Sequence, residues 1–279
     1  MHEPRAVSVA LQKGGVGKTT LAVNVAERLS SRGYDVLLVD LDQQGNATRA
    51  VGLEDAYTGE THIGHVIDDE DDTGPHDVIR EREWFDVLPA HEQLDAVESS
   101  IRNATFGELR VKHDVVEPLL GTEYDYVIVD TAPTIGPLSD SSLVATQNVL
   151  VPLLMSQPSL SGLDRMTTQQ LDPLRRELPI DVLGVIPNRL EGDNEERRVL
   201  SAVEASRFRD RLPAFGRSRE FDDPDSPGPG IRKRVAFRRA WRDGLPLAVY
   251  DPDSDMVERL DAVADIVENG GVEDVEHDA

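Results

Sequence analysis

Cysteine is absent from this chain of 279 residues. That one absence excludes disulfides, thiolate metal sites and cysteine nucleophiles together. Lysine is nearly as scarce: Lys13, Lys18, Lys112 and Lys233 are the four lysines among 29 basic residues, and arginine supplies the rest. No apolar run approaches the roughly 20 residues of a membrane-spanning helix. No basic, apolar leader opens the chain either, so the sequence reads as cytoplasmic. Internal repeats are also missing. What the chain has in excess is negative charge, with a formal net value of −24. An acidic, lysine-poor surface suits molar salt, where self-repulsion is screened and carboxylates hold water. It predicts a halophilic source. The length suffices for one large α/β domain and does not require a second.

The most informative stretch is Val7-Ser8-Val9-Ala10-Leu11-Gln12-Lys13-Gly14-Gly15-Val16-Gly17-Lys18-Thr19-Thr20. A short apolar run reads as a buried strand, a glycine-rich turn follows Gln12, and helical periodicity begins at Gly17. Glycines let successive backbone N–H groups converge, and the helix N-terminus adds partial positive charge. Lys18 and Thr19 are then placed for terminal phosphates and a magnesium ion, so the expected ligand is a nucleoside triphosphate. The strict G-x-x-x-x-G-K-[ST] pattern fails, because Gln12 stands where its first glycine belongs.

Two further stretches carry carboxylates at the ends of apolar runs. Val36-Leu37-Leu38-Val39 leads into Asp40-Leu41-Asp42-Gln43-Gln44-Gly45-Asn46-Ala47-Thr48, and Tyr126-Val127-Ile128-Val129 leads into Asp130-Thr131-Ala132-Pro133. Continuous apolar runs are the mark of strands covered on both faces, and in open parallel sheets ligands bind at the carboxyl ends of strands. Both carboxylate stretches are therefore expected beside the phosphate loop.

The run K-G-G-V-G-K-T-T resembles the deviant Walker A motif of the ParA/MinD branch of P-loop ATPases. The second stretch resembles that family's switch I motif, with Gln43 where proline is usual, and the third its Walker B strand, with Ala132 in place of a proline. The resemblance runs from Val7 to about Glu268. It implies a mostly parallel, twisted α/β sheet flanked by helices on both faces, with ATP and Mg²⁺ as cofactors. By resemblance the nucleotide lies on Lys13, Gly14, Gly15, Val16, Gly17, Lys18, Thr19 and Thr20. Lys13 reaches the partner's nucleotide in a dimer, Thr19 and Asp130 hold Mg²⁺, and Asp42 orients the attacking water. Asp40 is the structural partner of Asp42, and Asn188 reads the adenine edge. The missing cysteines set the chain apart from cluster-binding relatives such as nitrogenase iron protein.

The rest of the chain is punctuated by weaker signals. Residues 54–83 are polar and acidic around Asp68-Asp69-Glu70-Asp71-Asp72 and read as surface, with short helices at Ile63 to Ile67 and Val78 to Arg82. Phe85 to Ala90 resembles the family's short strand ending in L-P-A, Val149 to Leu154 reads as a strand, and Val182 to Pro187 as a strand ending at Asn188-Arg189. Leu94 to Ile101, Ser159 to Leu171 and Ser254 to Glu268 read as helices, the last stopped by Gly270. The expected layout is one P-loop ATPase domain over 1–270, an insertion at 217–230 relative to the family, and an acidic, frayed tail over 271–279.

One basic stretch interrupts the acidic background: Arg232, Lys233, Arg234, Arg238, Arg239 and Arg242 stand together with no carboxylate between them. Clustered cations are the footprint of phosphate-backbone binding. A set of surface ion pairs is the alternative. The resemblance implies an ATP-dependent homodimer that binds DNA nonspecifically, is stimulated by a ParB-type or other cargo adaptor protein, and associates with the nucleoid to partition a plasmid or chromosome. Three rivals are a relative that positions protein arrays or organelles, a non-enzymatic nucleotide sensor that binds ATP without turnover, and a MinD-like, membrane-cycling ATPase. The last requires a basic amphipathic terminal helix, which this acidic terminus does not supply.

Overall fold

Period-two alternation along apolar strands decides the layers of this chain. A computed structural model describes residues 3–68 and 73–273. Seven strands run Arg5–Val9 (β1), Val36–Leu41 (β2), Asp86–Leu88 (β3), Tyr126–Thr131 (β4), Asn148–Leu153 (β5), Asp181–Leu190 (β6) and Ile231–Arg232 (β7). They form one sheet in the order β3-β2-β4-β1-β5-β6-β7, and every pairing between them is parallel. The sheet agrees with the α/β, helix-covered class expected from the sequence.

Val7 and Val9 of β1, Leu38 of β2 and Ile128 of β4 share one face. There they pack on Leu21, Val25 and Leu29 of helix α1, Lys18–Ser30, and on Leu260, Val263 and Val267 of the helix Val257–Asn269. The alternate residues Leu37, Val39, Val127 and Val129 meet Ile63, Ile67, Leu94, Val97 and Ile101 on the other face. Farther along that face Val149, Val151 and Val182 cover Leu163, Met166 and Leu171. Each fully buried Leu or Val contributes about 1.5–3 kcal/mol, and truncating Leu38 to alanine would cost about 2–5 kcal/mol. Because both faces are dry, the strands can be apolar throughout.

β4 inserts between β1 and β2, which brings three strand ends side by side. In this register Val9 lies against Asp130, and Asp130 against Asp40. The phosphate loop, both carboxylate stretches and helix α1 therefore share one edge.

Some expectations shift. The short helix expected over Val78 to Arg82 lies earlier, at Pro75–Val78, because Arg80 instead exchanges both backbone hydrogen bonds with Val87 of β3. The helix expected over Ser159 to Leu171 is Gln157–Met166 followed by a π-helical turn, Thr167–Leu171. The last helix starts at Val257 and stops at Gly270, whose φ of +72° lets the Gly271 N–H reach Ile266 O. The expected frayed tail does not begin at 271, since the Val272 N–H donates to Leu183 O. Residues 274–279 lie outside the described residues, as do 69–72 of the acidic run. Residues 217–230 form turns tied down by Glu204, which accepts from the Ser218 N–H and hydroxyl, and by the Glu220–Arg259 ion pair.

Candidate functional site

The loop between β1 and α1 bends through Gly15 and Gly17, whose φ values of +77° and +91° favour glycine. Gly17 also has no room for a side chain: a Cβ there would lie 2.4 Å from Asn188 Nδ2. Asn188, two residues before the end of β6, donates from Nδ2 to Val16 O at 2.8 Å and accepts the Arg189 N–H at 2.9 Å. Arg189 reaches Gly15 O at 2.7 Å from a backbone with φ of +58°. The two residues clasp the loop from outside. Asn188, expected at the adenine, thus already uses both ends of its amide, although Nδ2 carries a second N–H.

Lys18 is buried, and its Nζ lies 3.4 Å from Lys13 O. Burial lowers its pKa, while the charges of Asp130 and Asp42 oppose that shift. The Thr19 hydroxyl donates to Asp130 Oδ2 at 2.7 Å. Asp130 is wholly buried, and its Oδ1 has no hydrogen-bond partner among the described residues. Its pKa is driven well upward, first by burial and then by the neighbouring Asp40 charge. A buried carboxylate oxygen without a donor, next to a threonine hydroxyl, is the donor set that a hard divalent cation takes. The residues fit Mg²⁺.

Asp40 is equally buried and differently served. Its Oδ1 accepts the Asp42 N–H at 3.1 Å, and its Oδ2 accepts the Thr48 N–H and hydroxyl, each at 2.8 Å. Thr48 Oγ1 in turn accepts the Ala90 N–H at 2.9 Å, tying β2 to the exit of β3. Burial raises Asp40 to about 6, against the lowering effect of the Thr48 bonds. Asp42, just past the end of β2, is buried and accepts the Gln44 N–H at 3.0 Å through Oδ1. The structure therefore brings together Lys18, Thr19, Asp42 and Asp130, with Asp40 behind them as a tie.

Lys13 lies on the rim, in an open cleft of about 650 Å³ shared with Pro158, Leu160, Ser161, Asp164 and Arg165. Beside Thr20 a second cleft of about 680 Å³ is lined by Asn188, Arg189, Arg232, Phe237, Arg238 and Trp241, among others. The basic stretch divides in two here. Arg232 donates to Glu191 O at 2.6 Å, Lys233 pairs with Glu191 at 2.7 Å, and Arg234 grips Asp255 through Nε and Nη2. Arg238 and Arg239, on the exposed helix Val235–Arg242, have no carboxylate partner among the described residues. Lys233 and Arg234 stand in ion pairs, while Arg232 is held by a backbone carbonyl.

The sequence reading missed several residues that shape the site. Gln12 donates to Gln170 Oε1 at 2.9 Å, and Gln170 donates on to Ser139 at 2.9 Å and Asp140 at 2.7 Å, linking the loop to the helix that follows the Asp130 strand. Tyr57 holds the Gln43 carbonyl at 2.7 Å. No periodicity marks either Gln170 or Tyr57. The one available signal for Tyr57 is an aromatic in a polar segment, and Gln170, in the polar run Thr167-Thr168-Gln169-Gln170, carries none.

Known proteins resemble this chain in sequence and fold. The AAA domain family model matches residues 4–179. The sporulation initiation inhibitor protein Soj of Bacillus subtilis is 31% identical over 269 residues, covering 95% of this chain and 98% of that protein. The chromosome-partitioning ATPase Soj of Thermus thermophilus is 30% identical over 248 residues, covering 83% of this chain and 94% of its own. Among solved structures, an ATP complex of Cyanothece McdA has the same fold, with a TM-score of 0.78 over 99% of this chain and 100% of that one at 22% identity. The deviant phosphate loop, the buried carboxylate pair and these likenesses agree: the chain belongs to the AAA domain family and, within it, to the ParA/Soj group of P-loop partitioning ATPases.

Proposed function

We propose that this chain is an ATP-dependent partitioning or positioning ATPase that dimerises around bound nucleotide and releases its partner after hydrolysis. The observation that carries the reading is the meeting of Lys18, Thr19, Asp42 and the half-satisfied Asp130 at one sheet edge. Thr19 and Asp130 would hold Mg²⁺, which when bound neutralises charge on the β- and γ-phosphates. Backbone N–H groups of Gly14 to Thr20 receive the phosphate oxygens, and Lys18 stabilises the charge that develops as the bond between the γ-phosphorus and its bridging oxygen breaks. Asp42 orients the attacking water, and ADP and phosphate leave. Lys13, on the rim, completes the partner's site. Asn188 offers its remaining N–H to the base.

Arg238 and Arg239 are the cations left for DNA phosphates, by paired hydrogen bonds that survive salt better than bare charge. A centromere-binding or other cargo adaptor of the ParB type would accelerate turnover and so time the cycle on the nucleoid. The membrane-cycling rival loses support, because Leu260, Val263 and Val267 of the helix Val257–Asn269 are buried in the core and offer no lipid face. Among the described residues no helix is long and apolar enough to cross a membrane. The acidic, lysine-poor composition supports a halophilic source.

ATP turnover and sedimentation of three variants test the reading. Lys18→Ala should abolish turnover, Lys13→Ala should abolish nucleotide-driven dimerisation, and Asp42→Ala should stop hydrolysis while dimers persist. Wild-type turnover in Asp42→Ala would remove that residue from its role.

A further inference from the structure

The carboxylate of Asp42 is delivered by a turn rather than by a strand. The Gly45 N–H donates to Asp42 O at 2.8 Å and the Gln44 N–H to Asp42 Oδ1, closing a four-residue turn with aspartate first and glycine fourth. Asp42 itself has little room to move once that turn is fixed.

Both middle carbonyls of the turn are taken by side chains. Gln43 O accepts from the Tyr57 hydroxyl at 2.7 Å, and Gln44 O accepts from Arg49 Nη1 at 2.5 Å. The Arg49 guanidinium also lies 4.4 Å from the centre of the Tyr57 ring, so the two clasps brace one another. The same ring closes on Gly45, where φ is +59° and a Cβ would fall 2.5 Å from Tyr57 Cδ2. Tyr57 is in turn anchored from behind, since the Glu92 N–H donates to its carbonyl at 3.2 Å.

We infer that Tyr57 is a positioning residue for Asp42, holding the turn through the Gln43 carbonyl so that the carboxylate is preorganised. The inference rests on the reading of Asp42 as the group that orders water. Tyr57 meets the turn and not the reacting atoms. The second position of such a turn is where proline best fixes φ. Gln43 supplies no such restraint, so a hydrogen bond from Tyr57 does what a ring would otherwise do. Among the described residues the Gln43 N–H donates to no acceptor, so a proline there removes no hydrogen bond.

The test uses the full chain with ATP and Mg²⁺, measuring saturated turnover and nucleotide affinity for Tyr57→Phe, Gln43→Pro, the double variant and Asp42→Ala. Tyr57→Phe keeps the ring over Gly45, and a thermal melt verifies folding. Its turnover should fall about three- to tenfold, the range one neutral hydrogen bond supports, with affinity unchanged. Gln43→Pro should restore most of that loss in the double variant. Wild-type turnover in Tyr57→Phe beside an inactive Asp42→Ala would overturn the role of Tyr57 and leave the site reading standing. Equal loss of affinity and turnover, without rescue by proline, would overturn it as well. Full activity in Asp42→Ala would remove both together.

Discussion

Two carboxylates at neighbouring strand ends, Asp40 and Asp130, face each other across the β2–β4 ladder and are both wholly buried. Asp40 receives three protein hydrogen bonds, spread over both oxygens. Asp130 receives one, from Thr19, and its other oxygen has none among the described residues. The first is a fastener that ties a loop and a neighbouring strand. The second is an incomplete ligand, costly to hold in a dry interior until a cation arrives. Burial alone does not separate structure from chemistry; the count of donors does.

The sharpest way to break that contrast is to remove each carboxylate in turn. Asp130→Ala should lower ATP turnover by at least about a hundredfold, while the melting temperature holds or rises, because a poorly paired buried group is gone. Normal turnover would erase the distinction. Asp40→Ala should act in the opposite sense, costing about 2–4 kcal/mol in urea denaturation by orphaning the Asp42 and Thr48 donors.

A third kind of buried group sharpens the comparison through pH. His62 stacks between His65 at 3.9 Å and His91 at 3.8 Å. Burial first, and then its imidazole neighbours, push His62 down to about 4. Between the ordinary value of 6.5 and about 4, the unfolded chain binds a proton that the folded chain refuses, so stability is lost as pH falls through that window. Asp40, raised to about 6, works the other way, since the folded state keeps its proton where the unfolded state releases it. His62→Phe isolates the histidine: its melting temperature should fall less than that of the wild type between pH 7 and pH 5.

The smallest expected effect lies among the cations, which divide as the carboxylates do. Arg234, already paired with Asp255 near the surface, should cost about 0.5 kcal/mol or less when changed to alanine, and DNA retention across a KCl series should keep its slope. The double change Arg238→Ala and Arg239→Ala should weaken retention and flatten that slope by about two.

Much of this was legible in the sequence because it is local. Val36 to Val39 and Tyr126 to Val129 are apolar without a break, and a chain reads that way where both faces of a strand are covered. Gly17-Lys18-Thr19 carries its own geometry in a short run of backbone. The misses are nonlocal. Tyr57 lies 14 residues from Gln43, and Gln170 lies 158 from Gln12, so no periodic pattern joins either pair. Val78 to Arg82 carries arginines and a glutamate that suit a helix, but Arg80 is claimed by Val87, and pairing outweighs propensity there. The partners of Lys233 and Arg234 are nonlocal in the same way, since Glu191 and Asp255 answer them from elsewhere in the chain.

The placement of β4 between β1 and β2 has a consequence for the birth of the protein. A chain emerging residue by residue presents its phosphate loop early, yet Asp130 and the inner strand that seats it emerge more than a hundred residues later. Until then β1 and β2 have no shared neighbour, and their apolar edges wait beside the ribosome for a strand still to be made. The carboxylate side of the site is therefore assembled only when this later strand has slotted between the two earlier ones.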